Sequence, residues 1–167
     1  PDVLTDINIP LGDTSAINFD FAEARPASLS GHVYRDDNDD GIRDPGEIGI
    51  PGIRVRLVPV EPLVPQESIV ITTSSDGSYT FRDIAPGRYD VIELDQPVGL
   101  ADGRETVGIV DGIPIGIPDE PGDAIRQIIL TGNSSGTHFD FGELPLGSLS
   151  GFVYLLAPGA DCNGIHD

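Results

Sequence analysis

The stretch Ile53-Arg54-Val55-Arg56-Leu57 alternates apolar and charged side chains at every step. Because successive side chains of a strand point to opposite faces of a sheet, this period of two predicts a half-buried β-strand with its arginines outward. The same alternation places Leu29 and Val33 on one face of an earlier strand. With 21 glycines and 15 prolines spread over 167 residues, no segment favours a helix of ordinary length. The chain is therefore predicted to be all-β.

Turn signals separate the next predicted strands. Asp76-Gly77, a dipeptide that tolerates positive φ, predicts a hairpin between Ser68–Thr73 and Tyr79–Arg82. Pro86-Gly87 predicts a type II turn into a strand over residues 88–94, because proline fixes φ at the first corner and glycine accepts the second. These strands are expected to form a meander.

The second half of the chain contains a long stretch rich in glycine and proline. A Gly/Pro-rich loop is expected from Gln96 to about Gly122. Beyond it, Ile125–Leu130 and His138–Phe141 are predicted to form a closing hairpin around Gly132–Gly136. About seven short strands in all predict a β-sandwich.

The charge of the chain restricts its partners. Nine basic residues against 28 acidic ones give a net charge of −19, which argues against nucleic-acid phosphates and anionic lipid as partners and favours cations. Cys162 is the only cysteine, so no internal disulfide forms within this segment; it is either an ordinary thiol or a link between chains. No apolar run approaches the length needed to span a bilayer.

An internal repeat sets the predicted domain map. Residues 17–23 match 137–143 and residues 28–34 match 148–154, both at an offset of 120. A constant offset over neighbouring blocks indicates a repeated module. One complete module is expected over residues 25–144. Residues 1–24 would then be the final strands of a preceding copy, and residues 145–167 the first strand and truncated loop of the next.

The acidic segment after Tyr34 is the strongest chemical signal. It fits the twelve-residue calcium loop, whose ligands at positions 1, 3, 5, 7, 9 and 12 are here Asp36, Asn38, Asp40, the Ile42 carbonyl, Asp44 and Glu47. Gly41 at position 6 permits the sharp bend. A strand pattern precedes the loop and a proline follows it closely, so a structural Ca²⁺ site is expected instead of a helix–loop–helix switch.

Electrostatics supports this prediction. Two like charges about 4 Å apart repel by about 4 kcal/mol at an effective dielectric constant of ~20, so closing the loop without a cation is unfavourable. Calcium is expected over magnesium because an all-protein oxygen cage suits the larger ion. The alternative is a solvated acidic turn without an ion. The partial second copy around Asp161 and Asn163 has Gly159 at position 1 and is not expected to bind.

Several longer motifs resemble a known family, the serine-aspartate repeat protein B-like domains of the collagen-adhesin B-type group. They are Ser28-Leu-Ser-Gly-His-Val-Tyr34 before the loop, Gly49-Ile-Pro-Gly-Ile-Arg-Val-Arg-Leu57 after it, Asp76-Gly-Ser-Tyr-Thr-Phe81, Gln96-Pro-Val-Gly-Leu-Ala-Asp-Gly103 and Phe139-Asp-Phe-Gly-Glu143. The resemblance implies a Greek-key, transthyretin- or immunoglobulin-like sandwich in tandem repeats. It also implies a calcium-stiffened stalk or spacer in secreted or cell-surface proteins. The isopeptide crosslink of many relatives is impossible here because the chain has no lysine.

The leading functional hypothesis is therefore a structural repeat of an extracellular surface or fibre protein, with neighbouring repeats as partners. One alternative is an adhesive module that binds a matrix protein or glycan through residues 96–122. Another is a filament subunit in which the two incomplete ends complement each other head to tail. No enzymatic role is expected, since Gly132-Asn-Ser-Ser-Gly136 has the letters of a nucleophile elbow but is followed by a strand pattern.

Overall fold

The computed structural model describes residues 23–62, 66–119 and 122–153. These residues form strands and turns and contain no helix. Among them, no helix is long and apolar enough to cross a membrane. The twelve strands are β1 (Ala27–Arg35), β2 (Arg54–Pro62), β3 (Ile69–Thr72), β4 (Ser78–Ile84), β5 (Gly87–Glu93), β6 (Leu100–Thr106), β7 (Gly108–Val110), β8 (Ile113–Ile115), β9 (Ile117–Pro118), β10 (Ala124–Leu130), β11 (Ser135–Thr137) and β12 (Asp140–Pro145).

Two sheets form a sandwich, which confirms the all-β prediction. One sheet has the order β6-β12-β1-β11-β7-β8, with β4 also paired to β1, and the other has the order β3-β2-β5-β10-β9. The apolar faces of the two sheets meet in one core, whose largest fully buried members include Tyr34, Phe81, Tyr89, Phe139 and Phe141. Core packing therefore depends on a few aromatic rings among many aliphatic side chains.

Strand β1 is the centre of its sheet. It pairs in parallel with β11 at Ser28 and Leu29, then in parallel with β12 from Val33 to Arg35. The partner strand changes beside Gly31, where a Cβ atom would lie 1.8 Å from the Phe139 carbonyl oxygen. Only glycine fits this close approach of two backbones.

The alternation that predicted β2 is confirmed. Ile53, Val55 and Leu57 are buried, whereas Arg54 is exposed. Strand β2 pairs antiparallel with β3 on one side and with β5 on the other. A single inward row of aliphatic side chains thus anchors three strands of the second sheet.

The predicted hairpin across Asp76-Gly77 is wrong in its pairing. The turn itself is present, with Gly77 at φ 78° and the Gly77 amide donating to the Ser74 carbonyl at 3.0 Å. However, β3 pairs with β2 while β4 pairs with β1, so the turn carries the chain from one sheet to the other. The meander after Pro86-Gly87 is wrong for the same reason, because β5 pairs with β2 and β10 and not with β4.

The region from 96 to 122 was expected to be a loop and instead contains four strands, β6 to β9. The closing hairpin is also wrong, because β10 pairs with β5 and β9 whereas β12 pairs with β1 and β6. Twelve strands replace the expected seven. The alternation of apolar and polar residues did not predict these strands, because most of them are too short to show a period of two.

The expected module boundaries stay a prediction. All twelve strands fall within residues 27–145, whereas most of the segments 1–24 and 145–167 lie outside the described residues, together with Asp161, Cys162 and Asn163.

Candidate metal centre

The acidic loop begins where β1 ends, beside β12. The amide of Asp36 donates to the Glu143 carbonyl of β12 at 2.9 Å, and the amide of Arg35 donates to the Ile48 carbonyl at 2.9 Å. Tyr34 forms an isolated antiparallel bridge with Gly49. The first and last residues of the loop are therefore held side by side by the backbone of β1.

Asp36, at position 1, is the most constrained side chain of the loop. It is fully buried, and its Oδ1 atom accepts the amide of Asp39 at 2.6 Å while Oδ2 accepts that of Gly41 at 2.8 Å. The amides of Asn38 and Asp40 approach Oδ1 at 3.2 and 3.4 Å. These charge-assisted bonds fold the loop around one carboxylate. Gly41, at φ 74°, supplies the bend predicted at position 6.

Three further predicted ligands converge on one another. The Asn38 side-chain nitrogen lies 3.0 Å from Asp40 Oδ2 and 3.3 Å from Asp44 Oδ2. Rotating that amide by half a turn would exchange its nitrogen for its oxygen and direct three oxygens at the same point. The side chains at positions 3, 5 and 9 therefore lie close together, as the predicted ligand set requires.

Glu47, at position 12, lies across the loop. Its two carboxylate oxygens accept the amides of Asp37 at 2.9 Å and Asp44 at 2.8 Å. It therefore braces the backbone in this structure, and serving as a bidentate ligand requires it to exchange these bonds. The Ile42 side chain at position 7 is exposed, as expected where only the carbonyl oxygen of that residue is used.

A buried polar atom beneath the loop tests whether a cation fits. The Tyr34 hydroxyl is buried without a hydrogen-bond partner. Burial raises the pKa of this phenol, and the carboxylates of Asp36 and Glu47 raise it further. The hydroxyl therefore lies in a strongly negative environment, which is the environment that an oxygen-liganded cation neutralises. The oxygen donors of the loop have the chemistry of a calcium site, and the ion itself stays a prediction.

Strand β6 holds the loop from outside. Arg104 Nε lies 3.1 Å from Asp39 Oδ1, and the Thr106 hydroxyl donates to the Gly41 carbonyl. Together with the Asp36–Glu143 bond, these contacts connect the loop to β1, β6 and β12. Any cation bound in the loop would act on three neighbouring strands of one sheet.

The sequence reasoning missed a second acidic group. Carboxylate oxygens of Asp102, Glu105 and Asp123 all lie within 4.8 Å of one another. Within the part of the chain that the structure describes, this trio alone of such groups meets that spacing, and the loop carboxylates do not. It lies next to Glu93, whose amide donates to the Asp123 carbonyl at 2.9 Å.

Glu93 is the unusual member of this region. Its side chain is only 4% exposed, and neither carboxylate oxygen has a hydrogen-bond partner. Burial raises its pKa to about 9, followed by repulsion from Glu143, Asp123, Asp102 and Glu105. One sequence signal pointed to it: Tyr89, Val91 and Glu93 share a face of β5, so a carboxylate occupies a core-facing position.

Glu143 is buried beside this group. Burial raises its pKa to about 7, against a hydrogen bond donated by the Gln96 side chain. It is in register with Asp102 across β12 and β6. The two sheets therefore bring carboxylates from β5, β6 and β12 together at one end of the core.

The Gly132–Gly136 segment forms the turn that its sequence predicted. The Ser134 amide and hydroxyl both donate to the Thr131 carbonyl, at 3.2 and 2.9 Å, and β11 follows directly. Because the hydroxyl is buried and already bonded, this serine lacks the exposure of a nucleophile elbow.

Comparison with known proteins gives consistent matches. The model of the SdrD B-like domain family matches residues 27–142. Colossin-B of Dictyostelium discoideum is 42% identical over 72 residues, which are 40% of this chain and 2% of that protein. Serine-aspartate repeat-containing protein F of Staphylococcus epidermidis is 32% identical over 119 residues, 70% of this chain and 7% of that protein.

Among solved structures, the full-length major pilin SpaD of Corynebacterium diphtheriae matches with a TM-score of 0.44 and 13% identity. The match covers 77% of this chain and 34% of that chain. The chain thus spans only a small part of the length of the curated relatives it matches.

Proposed function

The chain belongs to the SdrD B-like domain family, and from that premise we propose that it is a calcium-binding structural repeat that stiffens a large surface protein. Membership of this family makes the chain an extracellular, repeat-type β-sandwich. The calcium site, the stiffening role and the neighbouring repeats as partners are the proposed part.

One observation carries the proposal: the acidic loop is bonded to three strands of one sheet. Its residues contact β12 through Asp36, and β6 through Asp39 and Gly41. A cation held by Asp36, Asn38, Asp40, Asp44, Glu47 and the Ile42 carbonyl would therefore fix the end of β1 relative to both flanking strands. Opening that end of the sheet would then require loss of the ion.

The charge balance gives calcium a large effect on this loop. Asp36, Asp40, Asp44 and Glu47 lie within twelve residues, while the nearest arginine contacts are surface ion pairs to Asp37 and Asp39. Surface pairs contribute little to stability. Calcium binding therefore relieves a repulsion that the protein itself leaves mostly unbalanced.

Because the chain has no lysine, we expect a bound metal ion to take the place of a covalent crosslink in this module. Neither an isopeptide bond nor an internal disulfide can form in a segment with no lysine and one cysteine. Rigidity then depends on the packed core and on bound cations. We therefore expect the mechanical strength of the module to be calcium-dependent.

Titration of CaCl₂ into chelator-stripped protein, followed by calorimetry and thermal melts, tests the site. The wild-type chain is expected to bind and to melt higher with calcium, whereas Glu47→Gln loses the loop's contribution. Glu67→Gln, an exposed change away from the loop, is the matched control. Equal calcium binding by wild type and Glu47→Gln would contradict the loop assignment.

Pulling experiments on the chain inserted between reference domains test the stalk role. The unfolding force is expected to fall when calcium is chelated. An unchanged force combined with capture of a matrix protein or glycan would favour the adhesive alternative. Calcium-dependent growth of assemblies with protein concentration would instead favour filament formation by complementary ends.

A further inference from the structure

An open apolar groove lies at the end of the sandwich where β1 begins. It has a volume of about 410 Å³ and is bounded by the segment before β1, the start of β5 and the end of β10. The aliphatic part of its lining is Ala24, Pro86, Ile129 and Leu130, and the Ile129 side chain is 47% exposed. Grooves lined in this way are typical binding surfaces. We call this feature the entry groove, because the chain enters the module there.

An exposed aliphatic loop lies where the chain leaves the module. Val98, between β5 and β6, has a fully exposed side chain. The Leu100 amide donates to the Pro97 carbonyl at 3.3 Å, and Leu100 is in register with Pro145, the last residue of β12. Leu146, the next residue, is also exposed. The Val98 loop therefore lies beside the exit point of the chain.

The entry groove and the Val98 loop lie at opposite ends of the sandwich. β12 runs parallel to β1, and Arg35 at the end of β1 is in register with Glu143 near the end of β12. β5 starts in the groove at Gly87 and ends at Glu93, from which the chain continues to Val98. Each module therefore presents the groove at its entry end and the Val98 loop at its exit end.

The repeat spacing brings an exit end close to an entry end. At the offset of 120, Ala27 at the start of β1 corresponds to Gly147, whereas β12 ends at Pro145. Only Leu146 thus separates the last strand of one copy from the expected first strand of the next. Two consecutive peptide units span at most about 7 Å. Such a connection is too short for a flexible spacer, so the entry groove of one copy must lie near the exit end of the copy before it.

The charges of the two ends favour the same arrangement. Three arginines and three carboxylates lie around the entry groove: Arg25, Arg82, Arg88, Glu23, Glu61 and Asp83. The entry end therefore carries charges of both signs, whereas the exit end carries the acidic loop and the carboxylates around Glu93. Contact between an exit end and an entry end avoids the repulsion that two exit ends would meet.

We propose that the entry groove binds the Val98 loop of the preceding copy of the module, so that consecutive repeats dock end to end. This inference rests on the proposed role as a structural repeat and identifies the surface through which one repeat contacts the next. Packing of Val98 against Pro86 and Ile129 removes apolar surface of both copies from water. The stalk is then stiff at its joints as well as within each module.

A protein in which residues 1–144 are followed by residues 25–167 tests the docking, because it keeps every residue of the chain and duplicates one module at the repeat spacing. The stability of such arrays is a sum of module and interface contributions. In saturating CaCl₂, its urea midpoint is expected to exceed that of the single chain. Val98→Asp in the first copy is expected to lose this gain in full, because the carboxylate would be buried in an apolar groove.

The same substitution in the second copy is the matched control. That copy is followed by residues 145–167, which contain no counterpart of groove residues 86–88 and 129–132. Its Val98→Asp is therefore expected to leave the midpoint unchanged. Ile129→Asp is expected to lower the midpoint more in the second copy than in the first, because residues 1–24 correspond to 121–144 and bring no Val98 loop. First-copy Val98→Asp and second-copy Ile129→Asp are expected to be non-additive.

Disulfide crosslinking measures the proximity directly. In a Cys162→Ser background, first-copy Val98→Cys and second-copy Ile129→Cys are expected to form a bond under mild oxidation, which requires Cα atoms within about 7 Å. The reverse placement, with Val98→Cys in the second copy and Ile129→Cys in the first, is expected to form none within one chain. Mass spectrometry of the digested protein identifies the bond.

Equal effects of Val98→Asp in the two copies, together with equal crosslinking of the two placements, would overturn the docking. Persistent calcium-dependent stability in that case would leave the stalk role standing without docked joints. Crosslinking between separate chains but not within one would assign the groove to a second chain and would also overturn the proposal. Docking in a protein that binds no calcium would support this inference and contradict the calcium site.

Discussion

The acidic loop and the carboxylates at the end of the core are both negative, but they are built in opposite ways. In the loop, backbone amides surround the buried Asp36 carboxylate. In the core, Glu93 is equally buried and has no such donors. Burial without such donors, together with the neighbouring carboxylates, raises the pKa of Glu93 to about 9. A buried carboxylate thus organises a turn in the loop, whereas in the core it lacks any group that compensates for its burial.

Asp36→Ala should cause the largest loss of stability. It tests whether the buried carboxylate holds the loop in its fold. Removing the carboxylate leaves the amides of Asp39 and Gly41 without their acceptor, which is expected to cost about 2–4 kcal/mol even without calcium. Urea denaturation in chelator measures this. Asp37→Ala is the control because its exposed carboxylate contacts the Arg35 side chain. Equal unfolding midpoints for the two variants would show that the buried hydrogen bonds do not hold the loop.

Calcium itself should have the next largest effect. Free calcium at 100 times the dissociation constant of one site is expected to raise the free energy of unfolding by about 2.7 kcal/mol. Thermal melts against calcium concentration are expected to show this rise in wild type and to lose most of it in Glu47→Gln, because the loop then lacks its predicted bidentate ligand. Equal melting temperatures of the two proteins at every calcium concentration would contradict the prediction.

The metal-free protein should lose stability as pH rises from about 5 to about 9. In this window the folded state keeps a proton on Glu93, whose pKa is raised to about 9, while the unfolded chain has lost it. Glu143, with a pKa of about 7, acts in the same direction. The loss should exceed about 1.4 kcal/mol, the equivalent of one pKa unit. Urea midpoints in chelator at pH 5, 7 and 9 test this, and a slope in Glu93→Gln as steep as that of wild type would refute the role of Glu93.

Arg104→Ala should cause the smallest change in stability. It tests how much a nearby positive charge weakens calcium binding by the loop. Its ion pair with Asp39 is exposed at both ends, so its loss should cost about 0–1 kcal/mol. Removing a positive charge beside the loop should nevertheless tighten calcium binding there, and high salt should erase the difference. Arg88→Ala, which loses a pair with Glu61 on the other sheet, is the control. Calorimetry at low and high salt compares the two, and equal affinities at low salt would contradict the prediction.

The sequence by itself determined the all-β class, the inward row of Ile53, Val55 and Leu57, and the twelve-residue loop. Each of these is local, because a strand's faces follow from a period of two and the loop's ligands are consecutive along one chain segment. The calcium ion that the pattern implies stays a prediction until it is measured.

Only the tertiary structure decided which strands pair and where the second acidic group lies. A turn such as Asp76-Gly77 fixes a reversal of direction, but the reversed strand can join its own sheet or the facing one, and packing of the apolar faces makes that choice. Glu93, Asp102 and Asp123 come from three separate segments of the chain and converge because β5, β6 and the start of β10 meet at one end of the core. No local pattern records that convergence, since it is a property of two sheets and not of any one strand.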